Sequence, residues 1–575
     1  MGTFFLLHLI FGTNEGLPRV ETDNGTVEGL TTLHLNKEID KFLGIPFAKP
    51  PINELRFQRP IPPDNWTGVF EAKKLPNSCV QGIDKNFGRF QGVEMWNANT
   101  NRSEDCLYLN IWRPKGTKES LPVMVWIYGG GFYSGTSTLE VYDGTTLAAT
   151  ENIVVVTFNY RIGMLGFIAL GHPQADGNGG LFDQLLAMKW VKNNIANFGG
   201  DPTRITIYGE SAGAASVSIH LVSKLSRPYY SRAILGSGAS TSSWAVVPYD
   251  EIKRRSLLVA IKYLNCPAKI DQIELILNCL IRIKDPMLIA KYEFYVVDGI
   301  SQFPFVPVID GHFLTKHPSK SFALGDFKDC PLLMGTVKNE GNYFIVYESL
   351  KTYNILNGSD LDAANFSWTM SNLFYYYPIY PFVSSILITD LIKFFYSPWN
   401  NPQPSNIDYR SAIDAAVGDC YFICGLNIIS EAYSDRGLPV YYYRFWHRSS
   451  ASTWPEWMGV IHGDELIYTF GVPLTQIDKY LLEEVELSKR MLRYWGNFLR
   501  SGLIIFFGFF RDPNKPNNIV SNQLLSYWPP QTSLDKKYIF LKTTTDSTVQ
   551  MIGTNPRSYQ CAFWNSFMPK FASSI

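Results

Sequence analysis

The sequence predicts an α/β protein with a large, mostly parallel sheet flanked by helices. Three observations carry that expectation. Apolar, β-branched runs alternate with helical patterns along the chain, the order that a parallel sheet with crossover helices requires. The 575 residues are 46% hydrophobic and 18% charged, with 38 Phe, 32 Tyr and 14 Trp, so apolar mass is available for one large buried core. No Gly-, Pro- or Ser-rich linker, internal repeat or low-complexity segment divides the chain.

Taken in order, Val123–Tyr128 and Ile153–Tyr160 are short apolar runs of the kind buried on both faces of a sheet. Leu181–Phe198 has helical spacing. Ile205–Tyr208 reads as a strand that feeds directly into a helix over Ser211–Val222. Pro331–Gly335 and Pro439–Trp446 read as later buried strands, and Leu481–Arg500 as a final long helix.

The 51 basic and 51 acidic residues balance, which removes the electrostatic footprint of a nucleic-acid binder. No run reaches the roughly 18–20 apolar residues of a spanning helix, so no transmembrane segment is expected. Phe567–Ile575 shows neither a prenylation box nor a hydrophobic tail. At the other end, the run Phe4–Phe11 followed by Gly12 and Thr13 resembles a signal peptide over residues 1–13, leaving 14–575 as one domain. Sequons begin at Asn24, Asn65, Asn101, Asn357 and Asn365 and fit passage through a glycosylating compartment. A secreted or extracellular protein is the expectation.

None of the eight cysteines forms a zinc-like cluster, and no metal or cofactor is expected. Cys266 and Cys279 enclose a short loop and Cys79 and Cys106 a longer one, the pattern of loop-stapling disulfides, with buried thiols as the alternative. Spacing does not settle the pairing.

The chemistry centres on Gly209-Glu210-Ser211-Ala212-Gly213, between a strand and a helix. This is the context of a nucleophile elbow, where glycines flank the serine because side chains there would meet neighbouring backbone. A serine hydroxyl needs a positioned base and a carboxylate that orients the base. His462 lies beyond the late strand, and Glu340 lies just past a strand end, between serine and histidine as the order serine, acid, histidine requires. On spacing alone His462 fits a core histidine and Glu340 a solvated loop carboxylate equally well. Tyr128-Gly129-Gly130-Gly131-Phe132 follows another buried strand; the amides of Gly130, Gly131 and Ala212 are candidates for an oxyanion hole.

Two longer stretches carry a resemblance. Phe198-Gly199-Gly200-Asp201-Pro202 leading into Gly209–Gly213 resembles the active-serine signature of type-B carboxylesterases, and Glu104-Asp105-Cys106-Leu107-Tyr108-Leu109-Asn110 resembles their second signature. The likeness runs from about Val20 to Lys570 and is greatest to the acetylcholinesterases, above all in Trp126–Ser134 and Trp454–Glu465. It implies an α/β-hydrolase fold with a deep aromatic gorge, with Ser211 as nucleophile, His462 as general base and acid, and Glu340 as the orienting carboxylate. It implies disulfides Cys79–Cys106, Cys266–Cys279 and Cys424–Cys561, with Cys330 and Cys420 unpaired.

The same resemblance implies a choline-ester substrate, because a quaternary ammonium cannot donate hydrogen bonds and is held by aromatic faces. Trp96 matches the principal choline-binding indole, Tyr343 a second aromatic and Glu210 the neighbouring carboxylate. Asp84, Tyr133, Phe344, Tyr347 and Tyr292 match gorge or rim positions. Trp244, Ser301 and Phe303 match the acyl pocket, where Ser301 replaces an aromatic and implies room for butyryl as well as acetyl groups. Gly82 stands where a rim aromatic is usual. A homodimer and a synaptic location are compatible with the resemblance. A broad-specificity carboxylesterase is the alternative enzyme, for which Trp96 and Tyr343 would be accidental. A non-catalytic adhesion protein on the same fold is the alternative of another class, opposed by the intact Ser211, Glu340 and His462. The apolar run Leu503–Phe510 interrupts an otherwise matching loop and has no counterpart in the pattern.

Overall fold

A strand such as Leu-Pro-Val-Met-Val-Trp-Ile has no polar face to give to water, so it needs cover on both sides. The computed structural model supplies that cover. It describes residues 16–267, 272–297, 302–348, 355, 361–374, 386–399, 409–504, 511–512, 515–519, 528–543 and 551–572. The leader 1–13, the sequon at Asn357, Ser301 and residues 505–510 of the apolar run lie outside these.

Among the described residues the central sheet has eleven strands, in chain order β1 Leu30–His34, β2 Lys37–Pro46, β3 Tyr108–Pro114, β4 Leu121–Ile127, β5 Val154–Phe158, β6 Gly200–Glu210, β7 Arg232–Gly236, β8 Leu332–Val337, β9 Val440–Phe445, β10 Lys537–Leu541 and β11 Ile552–Thr554. Their spatial order is β11-β10-β9-β8-β7-β6-β4-β5-β3-β2-β1. From β10 across to β5 every neighbouring pair is parallel, and the outer pairs are antiparallel. All of β4, β5, β8 and β9 is buried, as the runs Val123–Tyr128, Ile153–Tyr160, Pro331–Gly335 and Pro439–Trp446 lead one to expect.

Helices α1 Gly179–Asn194, α2 Ala212–Val222, α3 Asn342–Glu348, α4 Tyr409–Asp435 and α5 Leu482–Ser501 include those that matter for the site. Every residue of α2 is buried, which explains its run of Ala, Gly, Ser and Val. Helix α4 is long and apolar enough to span a membrane by composition, with mean hydropathy 1.5, but 83% of its most apolar window is buried inside the fold. Its apolarity is thus used in the core, and Asp414 and Asp419 interrupt it. Glu104 of the second signature forms a buried two-point ion pair with Arg56, whose Nη1 also caps the carbonyls of Leu280, Ile281 and Ile283. That motif is structural. Disulfides join Cys79 to Cys106, Cys266 to Cys279 and Cys424 to Cys561, and Cys330 and Cys420 are free thiols.

In a parallel sheet the loops beyond the carboxyl ends of the strands share one edge, where ligand sites form. Here β4, β6, β8 and β9 lead into the segments that carry Gly129–Gly131, Ser211, Glu340 and His462.

Candidate active site

Strand β6 turns into α2 at Ser211, whose backbone adopts φ 56° and ψ −123°, a region non-glycine residues seldom occupy. The turn is held by the Ser211 N–H, which donates to the Gly236 carbonyl at 2.8 Å. It is possible only because α2 presses on β4: a Cβ on Gly213 would lie 2.0 Å from the Ile127 carbonyl oxygen. The Gly-x-Ser-x-Gly pattern is therefore a packing requirement. Ala212 opens the helix, so its N–H has no partner within the helix.

The glycine run after β4 curls beside this turn. Gly130 has φ 107°, and a Cβ there would lie 2.4 Å from the Ser134 carbonyl oxygen. Gly129, Gly130, Gly131, Ser211, Glu210 and His462 line one cavity of about 100 Å³ together with Trp96, Tyr133, Phe303, Tyr343 and Phe344. The structure thus brings together residues drawn from across most of the chain.

Glu340 is buried and fully engaged. Its Oε2 lies 2.7 Å from His462 Nδ1, and its Oε1 accepts from Ser237 Oγ at 2.7 Å and from the Val337 N–H at 2.9 Å. The two loops are stitched by Asn339, whose N–H donates to Val460 O and whose Oδ1 accepts from the Val460 N–H. Asp414 on α4 braces the Glu340 loop by accepting from Asn339 Nδ2 and the N–H groups of Gly341 and Asn342, each at 2.9 Å. Burial pushes the Asp414 carboxyl up to about 7. This brace was not foreseen; an acidic residue inside an apolar helix was its sequence signal.

Among the described residues His462 Nε2 has no hydrogen-bond partner, Ser211 Oγ included, and lies 3.1 Å from Glu210 Oε1. Such bonds are often misaligned without substrate and tighten in the reacting complex. Burial, reinforced by the nearby negative charge of Glu340, holds the Glu210 carboxyl well above the usual carboxylate range.

The cavity wall is aromatic. Trp96 sits on the loop closed by Cys79–Cys106 and faces Gly463, where a Cβ would come within 3.4 Å of the indole. A chain of hydroxyls runs outward from it: Tyr343 to Tyr347 at 3.1 Å, and Tyr347 donating to Asp84 Oδ2 at 2.5 Å. Tyr133 packs on Phe303 and, edge-on at 4.7 Å, on Phe294. Tyr292, matched from sequence to a gorge or rim position, stacks on Tyr263 at 5.6 Å. The half-exposed Phe294, in the short helical turn after Tyr292, packs beside Tyr133. Gly82 has open space around the position of a Cβ.

Of the residues expected from sequence to line an acyl pocket, Trp244 meets Phe303 edge-on at 5.3 Å, and buried Arg255 anchors the segment through the carbonyls of Phe303 and Pro304. Phe422, from the middle of α4, was missed by sequence. Its ring lies 4.5 Å from that of His462, stacks on Phe344 at 4.9 Å and reaches Trp244 at 6.0 Å. It adds bulk to the side where Ser301 implied space.

A model of the carboxylesterase family matches residues 17–564. The chain belongs to the carboxylesterase family. Membership makes it a carboxylic ester hydrolase. It is 42% identical over 563 residues to the acetylcholinesterase of Bungarus fasciatus, spanning 97% of this chain and 87% of that one. It is 42% identical over 554 residues to the cholinesterase of Mus musculus, spanning 96% and 87%. With acetylcholinesterase 1 of Caenorhabditis elegans it shares 40% identity over 557 residues, 94% of this chain and 86% of that one.

Proposed function

We propose that this carboxylesterase hydrolyses choline esters through an acyl-enzyme on Ser211. The observation that carries the reading is the His462–Glu340 contact of 2.7 Å set in a cavity shared by Ser211, the glycine run and an indole. Ser211 Oγ attacks the ester carbonyl carbon while His462 Nε2 takes its proton. The N–H groups of Gly130, Gly131 and Ala212 receive the oxyanion. Collapse breaks the bond to the alcohol oxygen, which leaves with the proton from His462. Water then attacks the acyl-serine by the same route and releases the acid. Glu340 keeps His462 in the tautomer whose Nε2 accepts and stabilises the imidazolium.

The cationic end of the alcohol is assigned to Trp96 and Tyr343, with Glu210 supplying negative charge when ionised. Cholinesterase relatives of about 40% identity support this choice over a generic ester. The test is a comparison of kcat/KM for acetylcholine and for its neutral dimethylbutyl isostere. A preference of tenfold or more for the cation is expected, and equal rates would overturn the choline assignment. Three disulfides fit folding in an oxidising compartment, and we read the chain as secreted, acting at synapses. Exposed Phe394 and Trp399, in ring contact with each other, and exposed Tyr559 and Phe567, linked by ring contacts through Phe395 and Phe563, suit self-association as a homodimer, which a monomer in sedimentation at micromolar concentration would refute.

A further inference from the structure

The glycines assigned to the oxyanion hole occupy a segment with unusual backbone angles: φ is 107° at Gly130, 58° at Gly131 and 64° at Phe132. A segment of that kind keeps its shape only if its surroundings over-determine it. One other loop, the one leaving β5, bonds the segment at both ends. At the far end the Gly163 N–H donates to the Phe132 carbonyl at 2.6 Å. At the near end two tyrosines form a reciprocal pair. Tyr160 Oη donates to the Tyr128 carbonyl at 2.8 Å, Tyr128 Oη donates to the Tyr160 carbonyl at 2.9 Å, and the rings stack at 4.4 Å and 20°. Both side chains are fully buried.

The loop that carries Tyr160 is itself pinned. Arg161 makes a buried two-point ion pair with Asp183 at 2.8 and 2.6 Å, and its N–H donates to the same carboxylate at 3.0 Å. Asn159 Oδ1 accepts from the Ser137 N–H at 2.9 Å, and Asn159 Nδ2 donates to Asn77 O at 2.8 Å. A hydrogen bond from Tyr160 therefore ties the glycine segment to a loop that is pinned elsewhere. The carbonyl it holds belongs to the peptide that joins Tyr128 to Gly129, so its direction sets the peptide plane that enters the glycine run.

We propose that Tyr160 is a positioning residue for the oxyanion hole, acting through the hydrogen bond from its hydroxyl to the Tyr128 carbonyl. The proposal rests on the assignment of Gly130 and Gly131 as oxyanion donors. The two hydroxyls of the pair do different things. The Tyr160 hydroxyl restrains the glycine segment, whereas the Tyr128 hydroxyl bonds back to the Tyr160 backbone. Ring stacking is common to both, so Tyr160→Phe and Tyr128→Phe each delete one buried hydroxyl and keep the stack. Only the first releases the Tyr128 carbonyl.

The experiment compares these two variants in the full chain by three readouts: acetylcholine turnover, inhibition by a trifluoromethyl ketone that forms a tetrahedral adduct, and inhibition by tetramethylammonium. Tyr160→Phe should lower kcat about tenfold with KM nearly unchanged, below the roughly hundredfold cost of a 1 Å misplacement. Its affinity for the ketone should fall by the same factor, and its affinity for tetramethylammonium should not move. Tyr128→Phe should stay within about threefold of the parent in all three. Equal losses in both variants, or a parallel loss of tetramethylammonium affinity in Tyr160→Phe, would reduce the pair to a packing unit and overturn the proposal. Gly131→Ala separates the two layers, since its Cβ would lie 2.7 Å from the Tyr133 ring and disturb the run directly. Full turnover in Gly131→Ala would remove the oxyanion assignment itself. Lost turnover there with an unaffected Tyr160→Phe would remove the Tyr160 role alone.

Discussion

The two halves of the site are built in different ways. The half around Ser211 is a backbone construction, in which β4, β6 and α2 approach so closely that only glycine fits at Gly213 and the serine is forced to a positive φ. The half that faces the substrate is a side-chain construction, assembled from Asp84 and Trp96 on one disulfide-closed loop and from Phe303, Tyr343 and Phe422 on three other segments. The first tolerates almost no change because backbone cannot move aside. The second can be redrawn one ring at a time, so it is where specificity can vary while the chemistry stays.

The sharpest test of the backbone half is Ser211→Ala. The turn accepts a methyl group at that position, so folding should be retained while turnover falls on the order of 10⁴–10⁶-fold. Circular dichroism and steady-state kinetics on the same sample measure both. Rapid turnover would mean that the nucleophile lies elsewhere and that the elbow is only a packing device.

Trp96→Ala probes the side-chain half. A desolvated cation–π contact is worth roughly 2 kcal/mol or more. That is about thirtyfold in kcat/KM, and it should appear for acetylcholine but not for the neutral isostere. Equal losses on the two substrates would make Trp96 a wall rather than a cation site, and the contrast between the halves would lose its functional meaning.

The same contrast explains what was legible in the sequence. Strands β4, β5, β6, β8 and β9 and the elbow could be read because apolar runs, a Gly-x-Ser-x-Gly pentapeptide and a strand-to-helix switch are short-range signals; β7, Arg232–Gly236, was not read. Glu340 and His462 fitted the order of a triad, but spacing could not select them; 122 residues separate the two side chains that meet at 2.7 Å. The resemblance supplied that choice. Phe294, Phe422, Asp414 and Arg255 escaped because their roles are set by packing between distant elements. Phe422 looks like any core residue of α4 until the fold places it against His462.

Phe422→Val sharpens the comparison on the acyl side. Removing the ring from between Phe344, Trp244 and His462 enlarges the space open to the acyl chain. Each added methylene in an apolar pocket is worth about 1–3 kcal/mol. The ratio of butyryl to acetyl kcat/KM should rise about tenfold, with cation selectivity unchanged. An unmoved ratio would place Phe422 outside the acyl pocket and leave acyl preference to Trp244, Phe303 and Ser301.

The smallest effect expected lies in Glu210, where backbone half and side-chain half meet. Its carboxyl is buried beside Glu340, Oε1 has no hydrogen-bond partner, and both burial and like charge favour the protonated form. In the unfolded chain the same group titrates as an ordinary carboxyl, near about 4.3. Between that value and its raised folded value the native state therefore holds the extra proton, and stability falls as pH rises through the window. Ligand binding couples to the same proton. A quaternary ammonium against Trp96 favours the carboxylate, so binding releases a proton and affinity increases with pH until Glu210 is ionised without ligand. The linkage limit for one proton is about tenfold per pH unit. With a cation held mainly by aromatic faces, about threefold per unit is expected for tetramethylammonium between the ordinary carboxylate range and the raised value of Glu210 in the folded protein. Glu210→Gln should flatten that slope and weaken the loss of stability on the alkaline side, because no charge remains to desolvate. Calorimetry in two buffers of different ionisation enthalpy reads the released proton directly. If the parent releases none, Glu210 is already ionised in the empty site, and the charge that meets the substrate is fixed rather than drawn out by it.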